Sequence, residues 1–361
     1  MKRQEFQREG IRRVVVRGAN WVGDAVMTVP ALRELRRLLP GAHITLATRP
    51  WAAGLFEGAS FVDEIMPVED GARSFVRSVR GWRRGRFDMA VLFPNAFAPA
   101  LTAFAARVPL RVGHATDGRS ALLTHPVAVP AWHGERHEVF YYLNVVAEVG
   151  RMLGEQGGHD FPPRPDTSLK VSAARRREAL EFLGERGVRL DRPVVALCPG
   201  STNSRAKRWP AERFAALADM LADEAGAEVV LVGAREEVEI SREVASLASS
   251  RPAVLTGETD LARSVAVLSV ADLLVTNDTG PAHIAAALGR PVVVVFGPTN
   301  PLTTRPYSDS AVVVRRPPEC APCMLRDCPI DHRCMTAVSA REVFERSAEA
   351  LAARRAAEAV G

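Results

Sequence analysis

The sequence predicts an α/β protein of two doubly wound halves, each a parallel sheet flanked by helices. Short, uninterrupted apolar runs alternate with helix-length amphipathic segments, the order that a parallel sheet with crossover helices requires. The chain is 361 residues long, more than one hydrophobic core usually supports, so two domains of roughly 150–180 residues are expected. A third feature marks the division: residues 157–166, GGHDFPPRPD, have the composition of an interdomain linker.

The elements follow in order. Val14, Val15 and Val16 form an apolar run between Arg13 and Arg17, as expected of a buried parallel strand. A turn over Gly18–Asp24 leads into a helix through Val29, Leu32, Leu35, Leu38 and Leu39, which Pro40-Gly41 stops. Residues 44–47 return as a strand, completing a β-α-β unit, and 61–68 and 89–93 are further strands. Past the linker, a helix over 173–186 precedes strands at Val194–Cys198, 229–232, 273–276 and 292–296. Helices at 211–225, Val238–Leu247 and 283–288 connect them. The expected domains are 1–165 and 166–339, with a final helix over 340–356 packing back across the first. A cleft between two such halves is a usual place for a ligand.

The formal net charge of +5 favours an anionic partner, but is too mild for a dedicated nucleic-acid binder, so no nucleic acid is expected. The charged N-terminus has no signal-peptide core, and no run reaches the roughly 18–20 apolar residues of a spanning helix. The expected location is the cytoplasm, where thiols stay reduced.

Three polar turns carry candidate chemistry. The first strand is not followed by the glycine fingerprint of dinucleotide binding. Instead Asp24 stands at the mouth of a helix, suited either to the helix dipole or to general-base work. After Val194–Cys198 comes Pro199-Gly200-Ser201-Thr202-Asn203-Ser204, with Lys207 close behind. Hydroxyls, backbone N–H groups and a cation after a strand suit a phosphate, although a solvated loop has the same composition. Residues Thr276-Asn277-Asp278-Thr279-Gly280-Pro281-Ala282-His283 repeat the pattern: Gly280 permits close approach and Pro281 suits a first helical turn. His283 fits a ligand contact or a core position. Glu237, past a further strand, is placed as acids that bind ribose hydroxyls are, and equally as an ordinary helix-start glutamate.

Residues 73–86 interleave arginines with Phe75, Val76, Val79 and Trp82, as a solvated helix or a patch for anionic lipid would. Cys320, Cys323, Cys328 and Cys334 cluster with His332 among them, which suggests a structural metal, most simply zinc; reduced thiols or a redox disulfide are the alternatives. Cys198 reads as a buried apolar residue.

In combination these segments resemble glycosyltransferase family 9, the lipopolysaccharide heptosyltransferases, and among them the type II enzymes. The residues are Asn20-Trp21-Val22-Gly23-Asp24 with TVPAL at 28–32, CPGS at 198–201 with AKRWP at 206–210, and TNDTGPAHIAAALGRP at 276–291. FPNAFAPAL at 93–101 and RVG at 111–113 also resemble that family's acceptor domain. Ser201 and Ser204-Arg205 depart from its usual pattern. The resemblance implies a GT-B fold: two Rossmann-like domains with parallel sheets facing across a cleft, acceptor in the first and donor nucleotide in the second. It implies inverting transfer of L-glycero-D-manno-heptose from ADP-heptose to heptosyl-Kdo2-lipid A, with no cofactor or metal required for catalysis. Asp24 becomes the general base and Lys207 the cation that stabilises the departing diphosphate. Asp278, Thr279, Gly280 and His283 join Lys207 as donor-site residues, with Ser201, Thr202 and Glu237 as further candidates. A lipid A-linked acceptor implies peripheral association with the inner face of the cytoplasmic membrane. The alternatives are a relative using another heptose or acceptor, and a nucleotide-sugar-binding scaffold without turnover.

Overall fold

The structure is a computed structural model that describes residues 10–155, 161–162 and 164–360. The charged residues 1–9, and linker residues 157–160 and 163, lie outside the described residues. The chain forms two compact units, Met1–Thr167 and Ser168–Gly361.

The first unit contains β1 (Arg13–Arg17), α1 (Val22–Met27), α2 (Val29–Leu38), β2 (His43–Thr48), β3 (Glu64–Pro67), α3 (Ala72–Gly85), β4 (Met89–Leu92), α4 (Phe97–Ala105), β5 (Leu110–His114), β6 (His125–Val127) and α5 (Glu138–Met152). All strand pairs are parallel, in the order β3-β2-β1-β4-β5-β6. The central strand β1 is clamped on both sides, Val15 opposite Thr45 and Ala90. Helices cover both faces of such a sheet, so its middle strands need continuous apolar runs, and Val14, Val15 and Val16 are fully buried. The strand expected over 61–68 shortens to Glu64–Pro67. Asp63 turns its carboxylate back onto the Ile44 N–H at 2.7 Å, and the strand begins only at the next residue, Glu64.

The second unit contains α6 (Ala173–Glu185), β7 (Val194–Cys198), α7 (Ala211–Asp223), β8 (Glu228–Leu231), α8 (Val238–Leu247), β9 (Ala253–Val254), α9 (Leu261–Val270), β10 (Leu273–Asn277), α10 (Gly280–Ala287), β11 (Val292–Val295), α11 (Pro301–Thr304), β12 (Ala311–Val314), α12 (Arg333–Thr336) and α13 (Ala340–Val360). Its order, β12-β11-β10-β7-β8-β9, repeats the topology of the first sheet. Both sheets therefore have one switch point, where the chain reverses direction across the sheet: between β1 and β4, and between β7 and β10. Loops diverge at such a point and leave a crevice at the carboxyl ends of the strands.

The sequence places the last helix across the first domain; the structure seats α13 on the second. Val343, Phe344 and Leu351 lie in one apolar cluster with Leu221 of α7 and Val295 of β11. Arg341 meets Glu224 at 2.7 Å and Arg354 meets Asp272 at 3.2 Å. The spacing of Val343, Phe344, Ser347 and Leu351 makes one buried helical stripe whose partners belong to the second unit. In α3, Trp82 turns into the core, edge-on to Phe87 at 6.5 Å, leaving Arg73, Arg77, Arg80, Arg83 and Arg84 exposed.

Candidate active site

Each switch point gathers functional side chains. In the first unit the turn after β1 and the segment after β4 bound a cavity of about 210 Å³, whose lining includes Asp24, Asn95, His133, Glu138, Tyr141 and Tyr142. Gly18 starts the first turn because the chain runs hard against β2: a Cβ there would sit 3.0 Å from the Thr48 hydroxyl. The Arg17 guanidinium, pushed down to about 10 chiefly by burial, reaches the Gly18 carbonyl and donates to Asn20 Oδ1 at 2.7 Å. Asp24 then stands in the first turn of α1, but the N-cap is Trp21 and has no side-chain cap bond. The Asp24 carboxylate instead accepts the Tyr142 hydroxyl, whose own ionisation is pushed well up by burial and by neighbouring Asp24 and Glu138.

Glu138 opens α5, 3.5 Å from His133 Nε2. Burial, then the charge of Asp24, raises its carboxyl to about 7. The opposite wall is fixed by Arg119, fully buried. Its guanidinium donates to the carbonyls of His114 at 2.8 Å and Ala96 at 3.1 Å, and also reaches that of Pro94. His114, stacked on Tyr141 at 3.8 Å, is pushed down to about 3 by burial and the nearby Arg119 and His133, and so stays neutral.

In the second unit the turns after β7 and β10 are buckled together by Asn277. Its Nδ2 donates to the carbonyls of Pro199 at 2.8 Å and Gly200 at 3.1 Å, and its Oδ1 accepts the Trp209 N–H at 3.0 Å. Lys207 Nζ donates to the Asp278 carboxylate at 2.8 Å and to its carbonyl at 3.1 Å. Thr299 donates its hydroxyl to the same Asp278 oxygen at 2.6 Å. Thr279 is the N-cap of α10, and Gly280 and Pro281 begin the helix, so its first N–H groups open at the switch point. Glu237 ends the 3-10 turn after β8, buried, accepting from the Ala234 N–H at 2.9 Å and the Thr202 hydroxyl at 3.2 Å.

The structure thus draws the second-domain candidates to the ends of β7, β8 and β10. Ser201 is buried, with its carbonyl accepting from Arg208 at 3.1 Å. His283 is buried in the first turn of α10. Burial pushes the Cys198 thiol far up, in keeping with a packing role. Sequence reasoning missed Glu138, Tyr142, Arg119, Asn277 and Thr299. Asn277 lies inside a quoted motif, but its buckling role depends on a turn elsewhere in the chain. Among the described residues, no group of three His, Cys, Asp or Glu side chains is placed to hold a metal ion. The thiols of Cys320, Cys323 and Cys328 act electrostatically on that of Cys334, which burial pushes up. His332 Nε2 is committed to the Ala206 carbonyl at 2.6 Å.

Comparison with known proteins bears on both halves. Residues 75–333 match the model described as glycosyltransferase family 9 (heptosyltransferase). Lipopolysaccharide heptosyltransferase 2 of Escherichia coli K12 is 33% identical over 313 residues, 84% of this chain and 88% of that one. Its counterpart in Salmonella typhimurium is 32% identical over 316 residues, with the same coverage. The solved structure of the E. coli ADP-heptose lps heptosyltransferase II superimposes with a TM-score of 0.81 at 28% identity, covering 95% of this chain and 99% of that one.

Proposed function

The chain belongs to glycosyltransferase family 9, the heptosyltransferases, and we propose that it transfers L-glycero-D-manno-heptose from ADP-heptose, with inversion, to the heptosyl-Kdo2-lipid A inner core of lipopolysaccharide. The observation that carries this reading is the placement of a carboxylate, Asp24, and an ammonium, Lys207, each at the switch point of its own sheet. Asp24 takes the proton of an acceptor hydroxyl as that oxygen bonds the anomeric carbon. The bond from that carbon to the diphosphate breaks, and its electron pair leaves with ADP. Lys207 and the N–H groups at the start of α10 stabilise the charge that develops there, and Asp278 with Thr299 aims the ammonium. Tyr142 orients the Asp24 carboxylate. Glu138 keeps its proton toward neutral pH and presents a hydroxyl to the cavity.

The type II assignment is supported by identities of 33% and 32% to two type 2 enzymes, against 25% to the E. coli type 1 enzyme. The donor is supported by a more distant relative, an E. coli heptosyltransferase solved with ADP-2-deoxy-2-fluoro heptose. Purified protein, ADP-heptose and heptosyl-Kdo2-lipid A, incubated in EDTA, should give a product heavier by one heptose. Saturable donor binding without product would overturn the acceptor assignment and keep the donor site.

Two finer readings accompany this one. The exposed arginines of α3, with Trp21 at 56% and Phe97 at 45% exposure, support peripheral binding to the anionic inner face of the cytoplasmic membrane. Among the described residues no helix is long and apolar enough to cross a membrane. Cosedimentation at low salt with anionic but not zwitterionic vesicles is expected; equal recovery with both would remove the idea. Four thiolates are also a donor set suited to tetrahedral zinc, although the sulfurs would have to draw together from their present positions. Metal content below about 0.2 equivalents per chain would exclude a structural ion.

A further inference from the structure

The segment that carries the four cysteines lies against the turn that carries Lys207. Ala206, the residue before Lys207, has both backbone polar groups committed to it. Its N–H donates to the Arg326 carbonyl at 2.9 Å, and its carbonyl lies 2.6 Å from His332 Nε2. A carbonyl only accepts, so that ring nitrogen carries a proton. Ser204, two residues earlier in the chain, donates its hydroxyl to the Arg326 carbonyl at 3.1 Å, and Arg205 meets Asp327 at 2.6 Å. The segment is itself anchored to the end of the second sheet. The Met324 N–H donates to the Pro298 carbonyl at 2.9 Å, and the Cys334 sulfur lies 3.0 Å from where a Cβ on Gly297 would be. His332 holds a left-handed backbone, φ 56° and ψ 26°. A non-glycine residue keeps that conformation only where its surroundings over-determine it, and here the side chain is pinned to Ala206.

We propose that residues 320–334 act as a brace for the donor site, and that His332 is the positioning residue that sets the Ala206-Lys207 peptide and so aims the Lys207 ammonium at the donor diphosphate. The proposal rests on the donor reading given above. Lys207 has a flexible stem, so its charge is useful only while its backbone and its Asp278 anchor are both fixed. Asp278 fixes the tip. The brace fixes the root, from a segment that touches neither reacting group.

The test is ADP binding by calorimetry together with donor and acceptor KM, in wild type, His332→Ala, His332→Gln, Lys207→Ala and the double variant His332→Ala with Lys207→Ala. Wild type should bind ADP; if it does not, the donor reading itself falls, and this is known before any variant is compared. His332→Ala should weaken ADP about tenfold and raise the donor KM while leaving the acceptor KM within about twofold. His332→Gln, whose amide N–H can reach the same carbonyl, should recover most of the loss. In the Lys207→Ala background, His332→Ala should cost little more, because the two act on one interaction. Equal loss in both backgrounds, or no loss in the wild-type background, would overturn the proposal. Melting temperatures of all four variants separate these outcomes from failure to fold.

Discussion

Lys207 and Asp278 form an ion pair of unequal depth. The carboxylate is 5% exposed and the ammonium 26%, with 2.8 Å between them. The same carboxylate oxygen accepts the Thr299 hydroxyl at 2.6 Å. The carboxylate is thus held from the interior side and the ammonium is presented at the surface of the turn.

That asymmetry separates two effects of removing Lys207. Transfer should fall by about 10²–10³-fold, the usual loss when one preorganised charge is taken from a developing anion. Stability should fall by about 3 kcal/mol, because Asp278 is left as a buried charge with one hydroxyl partner. Adding Asp278→Asn to Lys207→Ala should restore much of the stability and none of the activity. Urea midpoints and initial rates on the three proteins check both halves.

Asp24→Asn keeps shape and the Tyr142 contact but removes the base. Transfer should drop by roughly 10²–10⁴-fold, with ADP affinity held within about twofold, since Asp24 and the nucleotide turns belong to different sheets. Equal rates in wild type and variant would take the base assignment away.

Gly200 tests the donor turn from its backbone. A Cβ there would lie 2.2 Å from the Glu237 carboxyl carbon, so Gly200→Ala forces that side chain off the Ala234 N–H and the Thr202 hydroxyl. The fold should survive with a loss of about 1–2 kcal/mol, since the obstructing atoms end a flexible side chain. If Glu237 binds ribose, the donor KM should rise while the acceptor KM does not move.

The parts of this arrangement legible in the sequence are those whose physics is local. Strands β7 and β11 are continuous apolar runs, and β10 opens as one at Leu273, Leu274 and Val275, because both faces of a central parallel strand are buried. Asp278 follows β10 directly, and Asp24 and Lys207 lie in the segments that follow β1 and β7, where loops meet the switch point. Edge strands β9 and β12 were not legible: one is two residues long and neither is fully buried. Glu138 and Tyr142 reach the Asp24 cavity from α5, far along the chain, and only the fold brings them there. The apolar stripe of the last helix says that it packs but not against which unit, and its partners on α7 and β11 come only with the fold.

Glu138 offers a prediction whose sign can be worked out. Its carboxyl titrates near 7 in the fold against 4.5 when unperturbed, mainly through burial and then through the charge of Asp24. The ionisable groups around it are Asp24 on α1, His133 on the preceding loop, and Tyr141 and Tyr142 on its own helix. Between these two values the folded protein holds a proton that the unfolded chain has released. Unfolding then loses a proton, so stability falls as pH rises. The fall should total on the order of 3 kcal/mol and level off once Glu138 ionises in the folded state. The side chain is 22% exposed, so water screens little of it. Glu138→Gln, neutral at every pH, should lack this component and be more stable than wild type at pH about 8, while matching it at pH about 3.5, below the unfolded value. Urea midpoints of both proteins at those two values decide it. Parallel stability curves would mean that the carboxyl is solvated and that Asp24 does not work beside a protonated neighbour.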